Sequence, residues 1–154
     1  MKKLILLFTV LAFIGCKKEP EVIIDNKDIT YVDDIAYLKH DMSLVTGTVK
    51  EWHENGQLVF EANFKDGKKV GVYTRWHENG QLWGEGNYKD GKKEGVFKRW
   101  HDNGQIRSEE TFKDGTRDGV QKMWYENGQL RADGVAKDGQ AISKKEWDED
   151  GNER

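Results

Sequence analysis

"GVYTRWHENGQLWGEGNYKDGKKEG" occupies residues 71–95, and the fold turns on its two glycine-based reversals. Asn79-Gly80 and Asp90-Gly91 are residue pairs that accept positive φ at little steric cost, the strongest short-range signals for a hairpin. Between such reversals lie segments of about six to eight residues rich in Trp, Tyr, Phe and Val, a strand length and a strand composition. The stretch therefore predicts two antiparallel strands.

Working outward, the same grammar recurs. "WHENGQL" stands at 52–58 and again at 76–82, "WHDNGQI" at 100–106 and "WYENGQL" at 124–130. Aligned on Trp52, Trp76, Trp100 and Trp124, the chain divides into four 24-residue units at 47–70, 71–94, 95–118 and 119–142. Trp147 comes one residue early, in a truncated fifth unit within 143–154. A hairpin cannot bury its apolar side alone, and stacked neighbours can. The expected fold is all-β: an elongated, single-layer antiparallel meander of stacked hairpins. A parallel β-helix is the rival, but Asn-Gly at a tight reversal favours antiparallel neighbours.

A three-residue loop, Glu78-Asn79-Gly80 with Gly80 left-handed, predicts a register: His77 opposite Gln81, Trp76 opposite Leu82, Thr74 opposite Gly84 and Val72 opposite Gly86. Simple alternation then gathers Val72, Trp76, Leu82 and Tyr88 on one face, with Gly84 and Gly86 leaving room for rings. The opposite face receives Tyr73, Arg75, His77, Gln81, Trp83, Glu85 and Asn87. The expected repeat core is Trp52, Trp76, Trp100, Trp124, Leu58, Leu82, Ile106 and Leu130. Glu110 departs from the pattern, because it occupies a place that is small in the other units.

Residues 1–15 stand apart. A basic "MKK" precedes eleven apolar residues and "GC", the layout of a secretory signal peptide and too short for a membrane span. "AFIGC" resembles a bacterial lipobox, with Phe13 where leucine is usual. That resemblance implies cleavage before Cys16, the only cysteine, and lipidation of its thiol. Residues 16–28, with the only proline, read as a tether. Residues 29–46, "ITYVDDIAYLKHDMSLVT", read as a divergent hairpin that caps one end of the sheet, while the charged tail blunts the other. The net charge is −3 at pH 7, and becomes −5 if Lys2 and Lys3 leave with the leader. An acidic chain is unsuited to neutralising phosphates, so nucleic acid is not an expected partner.

The 71–95 stretch resembles the MORN-repeat variant family, whose units run Gly, aromatic strand, Asn-Gly, strand, aromatic, Gly. The resemblance covers roughly residues 30–152. Bacterial members include antitoxin or immunity components of toxin–antitoxin modules and lipoproteins of unassigned role. It therefore implies a fold, and for some members a protein partner.

No catalytic constellation is visible, and no cofactor is expected. His53, His77 and His101 recur two strands apart, roughly 9–10 Å, too far for one ion at zinc–nitrogen distances of about 2 Å. Glu61, Glu85, Glu109 and Asp133 form a similar row, and Asp66, Asp90, Asp114 and Asp138 read as turn formers. Trp83 is different. Its equivalents are Val59, Arg107 and Arg131, so folding does not demand an indole there. Beside Tyr73 and Arg75 it has the composition of a contact surface. The expectation is a lipid-anchored, non-enzymatic protein in the bacterial envelope that binds a protein partner, a toxin if the immunity role applies. The alternative is a wall-binding module that stacks sugars or choline-like groups on aromatics, similar in layout to choline-binding hairpin repeats.

Overall fold

The computed structural model describes residues 22–154. The expected signal peptide, Cys16 and the first part of the expected tether lie outside the described residues. Ten strands form one long open sheet: β1 (Ile23–Asp25), β4 (Gly47–Trp52), β5 (Leu58–Lys65), β6 (Lys68–Trp76), β7 (Leu82–Lys89), β8 (Lys92–Trp100), β9 (Ile106–Lys113), β10 (Thr116–Trp124), β11 (Leu130–Lys137) and β12 (Gln140–Glu146). From β4 to β12 every neighbour is antiparallel and consecutive in sequence, as a meander requires.

Two kinds of turn build it. At the Lys-Asp-Gly edge the loop is two residues long, and Asp66, Asp90, Asp114 and Asp138 have φ near +50° with left-handed glycines after them. That is a type I′ hairpin turn, whose twist matches that of the strands. At the other edge His77 N donates to Gln81 O (2.8 Å), Gly80 N donates to His77 O (2.9 Å) and Gly80 has φ +83°. The three-residue loop and the Trp76–Leu82 pairing are those the sequence predicts.

The face assignment beyond that pair is overturned. Arg75 lies opposite Gly84, not Thr74, and Tyr73 lies opposite Gly86, not Val72. A bulge sits between the Trp76–Leu82 and Arg75–Gly84 pairs, where Trp83 is the extra residue. The same shift recurs beside Trp52, Trp100 and Trp124. One inserted residue exchanges the faces of everything after it. Tyr73, Arg75, Trp83, Gly84, Gly86 and Tyr88 therefore share one face, here the inner face. Val72, Thr74, Trp76, Leu82, Glu85 and Asn87 share the outer one. Val72 is 61% exposed, so its placement with the core is corrected.

The core moves with it. None of the eight Trp, Leu and Ile residues expected as core is fully buried: Trp52 is 45% exposed, and Trp76, Trp100, Trp124, Leu58, Leu82, Ile106 and Leu130 are half-buried. They pair across hairpin mouths at the turn edge, Trp52 with Leu58, Trp100 with Ile106 and Trp124 with Leu130. The buried hydrophobic residues of the repeats are Val49, Ala62, Phe64, Phe97, Phe112, Ala132 and Ala136.

The N-terminal segment is also more than a tether and an in-line cap. Ile23–Asp25 runs parallel to β4 and closes its open edge. Strands β2 (Ile29–Val32) and β3 (Ile35–Leu38) form a separate two-stranded sheet. It packs on the first repeat through Ile29, Ala36 and Val45, which meet Val49, Ala62 and Phe64. Ala36 N donates to Gly67 O and Gly67 N to Val45 O, both at 2.8 Å, which fastens this hairpin to the first type I′ turn. At the far end the truncated unit keeps its turn: Asp148 N donates to Asn152 O and Gly151 has φ +86°.

Candidate binding face

The inner face begins as a row of rings. Phe60, Tyr73, Tyr88, Phe97 and Phe112 follow one another at centroid separations of 6.1, 5.9, 5.4 and 5.2 Å, the last three in edge-to-face contact. Each such contact contributes about 0.5–1.5 kcal/mol beyond area burial. Gly86 gives the Phe97 ring its place. A Cβ on Gly86 would lie 2.3 Å from the Phe97 ring, so only glycine lets that ring rest on the neighbouring backbone. Lysine stems cover the rings. Lys69 Nζ lies 5.5 Å from the Tyr88 ring centre and Lys93 Nζ 4.7 Å from that of Phe112. Burial pushes both ammonium groups below the usual lysine pKa.

The row stops at Phe112. One period after Phe97 stands Gln121, and one period after Phe112 stands Ala136. Where the row ends, Glu110 is fully buried and held by two arginines. Arg99 donates to its Oε2, and Arg117 donates to Oε1 through Nε (2.9 Å) and a terminal nitrogen (2.7 Å). Burial pushes the Glu110 carboxyl up, but the Arg117 hydrogen bonds and the Arg99 charge outweigh it and hold the pKa below the ordinary value.

Beside this cluster, towards the Asn-Gly edge, lies a groove of about 1190 Å³, whose walls include Trp83, Arg99, Arg107, Met123, Tyr125 and Arg131. Trp83 stands at its head. The Arg75 guanidinium lies 4.8 Å from the Trp83 ring centre and that of Arg99 lies 5.8 Å away. Tyr73, Arg75 and Trp83 also line one shared recess, so the structure brings the three candidate contact residues together. They sit on the face that carries the core, not on a polar one. Farther along, Arg131 lies over the Tyr125 ring at 5.6 Å.

The two faces differ in how they carry positive charge. All six arginines of the chain border the inner face: Arg75 and Arg99 at Trp83, Arg117 on Glu110, and Arg107, Arg131 and Arg154 along the groove. The inner face adds Lys69 and Lys93 over its rings, whereas the outer face carries lysine paired across strands: Lys50 with Glu61 (3.0 Å), Lys98 with Glu109 (3.7 Å) and Lys122 with Asp133 (3.4 Å). That accounts for three of the four carboxylates in the recurring row; Glu85 faces Thr74 instead. Among the described residues, Arg75, Arg107, Arg131 and Arg154 have no carboxylate at ion-pair distance. Arg99, Arg107, Glu110, Arg117 and Arg131 were not legible as a set in the sequence. The signal was present in Glu110 at a small-residue place and in arginine at the places of Val59 and Trp83.

The histidine row is structural. His77 Nε2 and His101 Nε2 lie 3.1 Å from the carbonyl oxygens of Trp100 and Trp124, and must carry hydrogen to donate there. Tyr125 does the same through its hydroxyl, 2.9 Å from Trp147 O. Asn79, Asn103 and Asn127 donate to the next unit's Asp102, Glu126 and Glu149 carbonyls. This edge is a stack of cross-unit hydrogen bonds. Among the described residues, no group of three or more His, Cys, Asp or Glu is placed to hold a metal ion.

Comparison with curated proteins finds no match. The MORN repeat variant family matches at residues 45–66, 69–90, 93–114 and 117–138, the same 24-residue spacing. These matches cover more than half of the chain, and with the hairpin stack just described they make this protein a member of the MORN repeat variant family.

Proposed function

We propose that this is a lipid-anchored, non-enzymatic binding protein of the bacterial envelope. Its inner face holds a protein partner, in the immunity-type role that the family resemblance implies for some bacterial members. The observation that carries this reading is the composition of the groove: Trp, Tyr, Met and Arg, the residues enriched at protein interfaces and their hot spots. The lipid anchor rests on the "AFIGC" stretch and its lone thiol.

A pull-down from envelope extract with the soluble 17–154 fragment tests the partner, and Trp83→Ala tests the face. The variant loses its stacking on Arg75 and Arg99, costing about 1 kcal/mol of stability. Partner affinity is expected to fall by about 2 kcal/mol or more, roughly thirtyfold. Unchanged affinity would remove Trp83 from the site. Retention of the fragment on purified cell wall, in place of a protein, would favour the sugar- or choline-binding alternative. For the anchor, Cys16→Ala is expected to move the protein from the membrane pellet to the soluble fraction, and a variant that still pellets defeats it.

A further inference from the structure

We infer that the groove running from Trp83 to Trp147 receives an acidic segment of a protein partner, with carboxylates against Arg107 and Arg131 and apolar side chains against Trp83, Met123 and Tyr125. The inference rests on the proposed reading of the inner face and names the chemistry of what binds there.

Charge and packing point the same way. The chain as a whole is acidic, yet every arginine is confined to this side of the sheet. On the outer face Lys50, Lys98 and Lys122 are paired with carboxylates, whereas Arg107 and Arg131 have no carboxylate at ion-pair distance among the described residues, and Arg131 acts on Glu146 only as a charge at longer range. These two occupy equivalent places in successive units, two strands and so about 9–10 Å apart. Guanidinium groups bind carboxylates through paired, planar hydrogen bonds, and they are less strongly hydrated than ammonium groups, which suits an interface. Arg131 is held over Tyr125, so part of its ordering is complete before binding.

The fold places the opening at this point. In the second and third units the ring row fills the inner face, in the fourth Gln121 and Ala136 stand at the ring places, and the groove lies nearer the Asn-Gly edge, where Met123, Tyr125 and Arg131 line it. Glu110 is neutralised by Arg99 and Arg117, and of the three only Arg99 reaches the groove wall. Glu126, Glu146 and Glu149 also line the groove. Glu146 is paired with Lys144, and Glu126 lies 3.9 Å from His101 Nδ1. Their position opposes a uniformly anionic ligand. It favours a segment whose carboxylates are interrupted by apolar side chains and lie over the arginines.

The test uses the full chain in detergent micelles and two fluorescent twelve-residue peptides, one alternating glutamate with leucine and one alternating glutamine with leucine. The glutamate peptide is expected to bind at least tenfold more tightly at low salt, and to lose that preference as salt rises. Arg107→Gln with Arg131→Gln is expected to abolish the preference. Lys98→Gln with Lys122→Gln, on the outer face, is expected to keep it. Arg107 and Arg131 are exposed, and equal melting midpoints confirm that the variants fold.

Equal binding of the two peptides, or equal loss from the outer-face variant, overturns the inference. So does an oligothymidylate or a sulfated polysaccharide binding tenfold better than the glutamate peptide. Partner capture separates the two levels. A partner lost on Trp83→Ala but retained by the arginine variant defeats this inference and leaves the inner face standing. A partner retained by both defeats the face.

Discussion

The second and fourth repeats have the same turns and the same strand lengths, yet they use the inner face differently. Around Tyr73, Tyr88 and Phe97 the face is filled by rings, that of Phe97 lying on Gly86, and covered by Lys69 and Lys93. In the fourth repeat Gln121 and Ala136 stand at the ring places, and Met123, Tyr125 and Arg131 line a groove. A hairpin repeat keeps its backbone through its turns and cross-unit hydrogen bonds, so it does not need every inner position for packing. Freedom to specialise is greatest where the ring row has ended.

That comparison breaks most sharply with Phe97→Ala against Gln121→Ala, residues one period apart. The first removes a buried ring with two ring neighbours and is expected to cost about 3–5 kcal/mol. The second removes a hydrogen bond to Thr111 O, 3.0 Å long, and is expected to cost about 1 kcal/mol. Trp100→Ala, on the half-buried outer face, is expected to fall between them. Urea melts of the three variants rank them, and equal losses would mean that the two repeats are energetically alike.

Glu110 marks the boundary. Glu110→Gln is expected to cost about 2 kcal/mol at pH 7. That is below the about 3–5 for a wholly buried pair, because the Arg99 and Arg117 side chains are 27% and 53% exposed and regain water. The sign with pH follows from the lowered folded pKa. Stability from this carboxylate is fully present above its unfolded pKa of about 4.3 and is lost as pH falls through the lower folded value. The difference between wild type and variant is therefore expected to shrink in urea melts taken from pH 7 down into that acid range. A difference that grows with acid would contradict the arginine-held carboxylate.

His101→Ala is expected to cost about 1 kcal/mol, more than a solvated turn residue would, because its ring donates to Trp124 O. His53→Ala is expected to cost less, since its Nε2 has no hydrogen-bond partner. Thermal melts of both check whether the turn edge is stacked evenly along the sheet. The smallest effect is expected at Val72→Ser, within about 0.5 kcal/mol, on the exposed outer face. A large loss there would restore the face assignment that simple alternation gives.

The sequence by itself determined the repeat, its 24-residue period, both kinds of turn and the antiparallel meander. Those are local: Asn-Gly and Asp-Gly select backbone geometry within a few residues, and periodicity needs no third dimension. It also placed Tyr73, Arg75 and Trp83 together, because they lie on the two strands of one hairpin. What only the tertiary structure decided was which face is the core. The bulge at Trp83 is a one-residue event without a residue signature of its own, and it reverses the side on which every later residue points. Phe97 and Phe112 rather than the tryptophans became buried because the bulge turns the ring row to the inner face, where Gly86 leaves room for the Phe97 ring. The pairing of Glu110 with Arg99 and Arg117 depends on strands brought side by side, and the confinement of arginine to one face became visible only once that face existed.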